Sequence, residues 1–226
     1  MSENTASVNQ KRQIAALTAN LAIIILEILG FRISIQRSGI SLFQYYTQDS
    51  NILALIASIF CAGYSIRSLR HGGVLPLWVK VLKYMAVSCL MVTLVVVLTI
   101  LAPTTGENGF KVMFFHHSML YHHLLCPVLA LLSFIFLDTD PPLTRKHIRY
   151  ALLPTLLYAV VVIILNVLKV LDGPYPFLRI YGQPAYMSAL WCLLILGGAY
   201  LLAWLIQLAN TAYANHLRGK TAEPVS

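Results

Sequence analysis

Six apolar runs, each close to a membrane crossing in length and separated by short polar or Gly/Pro-rich breaks, account for most of the chain. A hydrocarbon core about 30 Å thick takes about 20 helical residues per crossing, which predicts spans over residues 13–33, 42–65, 82–102, 113–137, 150–171 and 186–208. The breaker clusters His71-Gly72-Gly73 with Pro76, residues 103–109, Pro141-Pro142 and Gly173-Pro174 each fall between spans. The pattern therefore predicts an all-α polytopic membrane protein. It has one domain over residues 1–226, a single bundle of six transmembrane helices, and short tails at about 1–12 and 209–226. The first run is expected to stay in the mature protein, because Asn20 and Glu27 interrupt it and Arg32 and Arg37 follow it in place of a small-residue cleavage site.

Composition agrees: 58% hydrophobic and 11% charged residues in 226 positions are too apolar for a soluble domain. Charge adds an orientation. With both termini in the cytoplasm, eleven of the sixteen lysines and arginines lie on the cytoplasmic side, as the positive-inside rule prefers. The formal charge of +8 then marks topology and contact with anionic lipid, not nucleic acid, since no basic stretch is interleaved with aromatics in a soluble module. Cys61, Cys89, Cys126 and Cys192 are far apart within the spans and read as small apolar residues, with no thiolate set suited to a metal.

Polar residues inside the spans carry the candidate chemistry, since ionisable groups in hydrocarbon are functional candidates by default. The fourth run holds His116, His117, His122 and His123 before Pro127. At about 1.5 Å per residue, Glu27 lies about 9 Å below the outer end of its span, Thr47 and Asn166 about 8 Å, and His122 and His123 about 14 to 15 Å. All gather in the outer half of the bilayer, while the inner halves of spans three and four read as almost wholly apolar. His116 and His117 suit the interface, whereas His122 and His123 are too deep for easy snorkelling, so at least one of them is expected to have a specific partner. On an ideal helix His116 and His123 share a face and His122 sits about 100° away. Pro127 cannot donate to the carbonyl of His123. Thr47, in the stretch Tyr45-Tyr46-Thr47-Gln48-Asp49-Ser50-Asn51, is a helix-start hydroxyl that becomes a nucleophile only beside a base. Asp49 and Asn51 suit caps and hydrogen-bonding positions at the outer end.

Three stretches in order resemble the signature regions of a bacterial six-helix membrane family: Tyr45 to Asn51, the run His122-His123-Leu124-Leu125-Cys126-Pro127, and Tyr175-Pro176-Phe177-Leu178. That family is similar to the eukaryotic androgen-induced membrane hydrolases, which cleave fatty acid esters of hydroxy fatty acids. The resemblance implies a threonine nucleophile at Thr47. It implies a histidine base upstream of the span-four proline, which falls on His122 with a spacing of five residues and on His123 with a spacing of four. The expected function is hydrolysis of a membrane lipid or fatty-acyl ester through an acyl-threonine, in a bacterial-type plasma membrane with both termini cytoplasmic. Asn51, Asp49, Glu27, Asn166 and Tyr175 are the expected supporting residues, with Asn51 a candidate oxyanion donor against a plain helix-to-helix bond. Such chemistry calls for no cofactor. A metal or haem protein is disfavoured because His116 and His123 share one helix. The competing class is a transporter or lipid-binding protein without catalysis, whose mark would be polar residues continuing into the inner leaflet.

Overall fold

The computed structural model describes residues 3–222, with side chains described for residues 10–219. Among them there is no strand. The elements are α1 (Glu3–Ser38), α2 (Tyr46–His71), α3 (Leu77–Val96), the single turn α4 (Ala102–Thr104), α5 (Gly109–Phe115), α6 (Cys126–Phe136), α7 (Ile148–Val167) and α8 (Ala185–Ala222). Five stretches are long and apolar enough to cross a membrane, and a sixth crossing is made if the bent pair Gly109–Phe115 and Leu120–Phe136 acts as one span. The protein is thus an all-α polytopic bundle.

The bundle is packed through small residues. Ala54 and Ala57 on α2, Ala86 on α3, Ala130 on α6 and Ala203 on α8 are all buried, and with Ile23, Leu90 and Phe134 they form the central layer. Without a hydrophobic drive between helices in lipid, such residues hold a bundle by letting backbones approach. Large side chains instead face outward, with Ile25, Leu157, Leu193 and Leu201 all exposed as a lipid-facing surface requires.

The fourth span departs from the expected straight helix over residues 113–137. Its two halves are bent by 86°. The chain leaves helical geometry at residues 116–118, where His117 takes a φ of +55°, and winds as a π-helix over Leu120–Leu125 before α6 begins. The wide register answers Pro127, which lacks the donor that would continue an α-helix across it. The amide of Cys126 reaches back to the carbonyl of Tyr121.

A second correction concerns the end of the bundle that carries the termini. The expected span three begins at residue 82 and leaves Lys80 outside and Lys83 at the start, with an apolar inner half. In the structure α3 begins at Leu77, and Lys80 and Lys83, one turn apart, are both buried. Lys83 Nζ pairs with Asp138 at 2.5 Å and donates to Ser133 Oγ at 2.6 Å. Asn210 Nδ2 on α8 donates to the carbonyls of Phe134 and Asp138 at 2.7 and 3.1 Å, satisfying acceptors that the end of α6 leaves open. Asp140 then ties the first and last helices together, accepting from Arg218 at 2.8 Å and Arg12 at 3.4 Å. Partial burial acts to raise the Asp140 carboxyl, but Arg218, Thr139 and Arg12 outweigh it and hold it below the usual carboxylate range.

Removing one partner of a buried ion pair strands the other charge. Lys83→Met is therefore expected to cost about 3 to 5 kcal/mol of stability, read as a fall in the thermal midpoint in detergent. The double variant Lys83→Met/Asp138→Leu should recover most of that loss. A double variant no more stable than the single would show that the pair does not hold the bundle.

Candidate functional site

Between α1 and α2 a 3₁₀ turn, Gly39–Gln44, feeds an extended Tyr45 into α2, so that Thr47 is the second residue of that helix. Thr47 is buried. Its carbonyl accepts from Ser50 Oγ at 2.9 Å and Asn51 Nδ2 at 2.6 Å, and its amide lies 3.4 Å from the hydroxyl of Tyr175. Tyr175 also hydrogen-bonds to the Thr47 side chain. Burial pushes the Tyr175 phenol up to about 12, against the lowering effect of its bonds to Thr47, so the group is a neutral hydroxyl near pH 7.

The loop that delivers Tyr175 is folded back into the bundle. Gly173 packs directly on the carbonyl of Leu178, where no side chain fits. Asn166 clamps the same loop, donating from Nδ2 to the carbonyl of Leu171 at 2.8 Å and accepting from the amide of Ile180 at 3.1 Å. Tyr175 and Phe177 stack with centroids 5.2 Å apart, and Phe177 meets Trp191 of α8. Asn166 thus acts on the loop and does not line the cavity beside Thr47.

The two deep histidines separate completely. His122 turns toward α1, where Gly30 leaves room for its ring and Phe31 packs at a centroid distance of 4.9 Å. Its Nδ1 lies 3.3 Å from Gln48 Nε2, which as an amide donor makes Nδ1 the acceptor and leaves the proton on Nε2. That Nε2 stands 3.5 Å from Glu27 Oε2. Glu27 is fully buried beside Cys126 of α6.

His123 has the opposite arrangement. Its Nδ1 is 2.6 Å from the carbonyl of Met113. A carbonyl only accepts, so the proton sits on Nδ1 and the lone pair on Nε2. His123 and Thr47 line one cavity of about 310 Å³, together with Ser34, Arg37, Gln48 and Tyr175. A second, almost wholly apolar cavity of about 60 Å³ lies on the other side of Thr47, walled by Val96, Tyr158, Phe177 and Trp191. Thr47, Leu101 and Tyr175 belong to both walls.

The remaining expected residues fall around this centre. Asn51 spends its amide nitrogen on the Thr47 carbonyl and, at 3.4 Å, on the carbonyl of His122, so it binds α2 to the π-helical turn. It is His122, one residue earlier than expected, whose carbonyl gains this donor, because the π register shifts the position that Pro127 leaves open. Asp49 is exposed and lines an outer groove with Gln44 and Tyr158, not the cavity of Thr47. His116 and His117 are exposed at the break, edge to face. Gln48, Ser34 and Arg37 were not singled out in the sequence. Gln48 lay within the quoted polar stretch, and the sign for Arg37 was a basic residue directly after an apolar span. Among the described residues no group of three or more His, Cys, Asp or Glu is arranged to hold a metal.

No family model, no curated protein and no solved structure matches this chain.

A methyl group at position 30 would collide with the His122 ring and approach Tyr121 Cβ to 3.1 Å. Gly30→Ala is therefore expected to cost about 1 to 3 kcal/mol, measured as a drop in thermal midpoint. Adding His122→Ala should make the Gly30 change nearly neutral. Strictly additive losses would mean that the ring does not occupy this notch.

Proposed function

We propose that the chain is an intramembrane ester hydrolase acting on a membrane lipid or fatty-acyl ester, of the fatty acid ester of hydroxy fatty acid type, with Thr47 as nucleophile and His123 as base. The observation that carries this reading is the shared cavity, with the Thr47 hydroxyl on one wall and on another an imidazole whose Nε2 lone pair is not used by Met113.

The reaction runs in two halves. Thr47 Oγ attacks the ester carbonyl while its proton passes to His123 Nε2, and the alkoxide leaves with that proton, leaving an acyl-threonine. Water then attacks the acyl carbonyl, gives its proton to the same nitrogen, and the carboxylic acid departs as Oγ is reprotonated. Met113, by fixing His123 in the Nδ1–H form, keeps Nε2 as the acceptor throughout. The neutral hydroxyl of Tyr175 supports a role as donor to the developing oxyanion. The apolar cavity past Thr47 suits part of an acyl chain, and Arg37 at the other cavity suits a polar end. His122, engaged by Gln48 and Glu27, holds the fold of the site and does not exchange protons with substrate.

Transport is the second reading, since Lys80, Lys83 and Asp138 supply polar residues in the other half of the bundle. A continuous path is opposed by an apolar layer. Ile23 stands between Asn20 and Glu27 on α1, Ala54 and Ala57 between Asn51 and Ser58 on α2, and Ala130 between Cys126 and Ser133 on α6, all at most 3% exposed.

A fluorophosphonate probe on the purified protein should label the native chain and not Thr47→Ala. Hydrolysis of a medium-chain lipid ester should fall about 10² to 10⁴-fold for His123→Gln, and by a far smaller factor for His122→Gln. Labelling that persists in Thr47→Ala would remove it as nucleophile, and near-native rates in a folded His123→Gln would remove the base.

The same proposal places both termini in the cytoplasm of a bacterial-type plasma membrane. In a Cys192→Ala background, a cysteine at position 108 should react with an impermeant thiol reagent in intact cells, and one at position 144 should not. The reverse result would turn the bundle over.

A further inference from the structure

We propose that the groove between α2 and α7 is the distal acyl-chain subsite of the hydrolase, and that the rings of Tyr46 and Tyr158, which part it from the apolar cavity past Thr47, set the length of acyl chain the site accepts. This inference rests on Thr47 as the nucleophile and adds where the chain of the substrate lies.

In the hydrolase reading the alkoxide leaves on the His123 side of Thr47, and the acyl chain enters the apolar cavity walled by Val96, Phe177 and Trp191. That cavity of about 60 Å³ has the room of roughly two waters, at about 30 Å³ each. It takes the first carbons of a chain. A longer chain has to continue beyond it.

Two residues of the cavity wall, Tyr46 and Tyr158, also line the groove on their other side. Helices α2 and α7 both pack on α3, and the groove lies between them with Met85 and Cys89 of α3 in its wall. Its volume is about 630 Å³, against about 60 Å³ for the cavity. Ile56, Leu153, Leu157 and Val161 along it are exposed. On membrane spans such side chains face hydrocarbon, so the groove is open to the bilayer and suits an acyl chain. Its polar members Gln44 and Asp49 sit at one end, beside the start of α2, which leaves the rest of its length apolar.

The barrier between the two spaces is made of side chains. Tyr46 and Tyr158 meet edge to face at 5.1 Å between centroids. The Tyr46 hydroxyl shares a hydrogen bond with Thr155 Oγ1 at 2.7 Å, and the Tyr158 hydroxyl donates to the carbonyl of Gln44 at 2.8 Å. These bonds hold both rings in place, and hydrocarbon offers no replacement partner to a ring that is pushed aside. A short acyl chain ends before the rings, whereas a long one has to displace them. The rings therefore select for length. A smaller cleft of about 180 Å³ lies behind Trp191, between α3 and α8, and is the rival exit. The groove is favoured because it has more than three times that volume and because Tyr46 directly precedes the nucleophile.

The test measures kcat/KM of the full-length protein in detergent on p-nitrophenyl esters from hexanoate to palmitate, beside labelling by a fluorophosphonate. The native protein should favour hexanoate. Tyr158→Ala should raise the ratio of palmitate to hexanoate about tenfold, since the chain then runs on into the groove. Tyr158→Phe keeps the ring and should keep the native ratio, as should Val160→Ala, which thins the same helix away from both spaces. Adding Ile56→Trp, which fills the groove, should take away the gain of Tyr158→Ala. Should Tyr158→Ala fail to fold, Tyr158→Val carries the same test, with a rise of about threefold expected. The proposal is overturned if the native protein favours palmitate, if the folded Tyr158→Ala or Tyr158→Val keeps the native ratio, or if Tyr158→Phe or Val160→Ala raises it equally. It is also overturned if Ile56→Trp leaves the gain untouched, or if Trp191→Ala raises the ratio where the Tyr158 variants do not. Each of these results leaves the nucleophile standing when the label on the native chain is lost in Thr47→Ala. A native protein that neither labels nor hydrolyses any ester of the series overturns the hydrolase reading and this inference with it.

Discussion

The imidazole of His122, seated in the notch that Gly30 leaves on α1, is the contact on which the arrangement of the far half depends. It joins Glu27 and Phe31 of α1, Gln48 of α2 and the π-helical turn of the broken span, while Asn51 of α2 takes the carbonyl of the same residue. Polar backbone freed by a proline inside hydrocarbon has to be satisfied by neighbouring helices. Here one amide side chain does it, and the bend of the fourth span is held at a defined place. Because His122 is committed to the packing, the next residue, turned by the wide π register, faces the cavity of Thr47.

Two polar centres therefore share one bundle without merging. The far one is built around neutral hydrogen bonds, with an imidazole, a phenol and a hydroxyl around a cavity. The one at the termini is ionic and draws residues from α1, α3, α6 and α8. Between them lies a layer of alanines with Ile23, Leu90 and Phe134. The two centres are structurally separate for this reason, and a substitution in one is expected to leave the other intact.

Much of the fold could be read from hydrophobic length alone. Six runs in hairpin order appear as five long helices and one bent pair, and Glu27, Thr47, His122 and His123 are brought around Gln48 of α2. Residues 113–137 were harder to read, because a π turn and a break at His117 carry no signature beyond a proline and a polar run. The α-helical register, in which residue 127 faces the carbonyl of residue 123, gives way there to a π register that leaves open the carbonyl of His122. The expected span over residues 82–102 leaves Lys80 outside and Lys83 at its start. Their burial follows from Asp138, Ser133 and Phe134, which are far away in the chain and meet them only once α3 and α6 pack.

What the sequence by itself determined was the class of protein, the order of the helices and the half of the bundle in which hydroxyl and imidazole would gather. Those properties depend on how much apolar surface each stretch carries, which is local. Only the tertiary structure decided that His123 and not His122 shares a cavity with Thr47, that Asn51 and Asn166 are structural ties, and that a lysine is buried without an acceptor. Each of these depends on which side chain a neighbouring helix presents at a given height, and neither spacing nor composition encodes that.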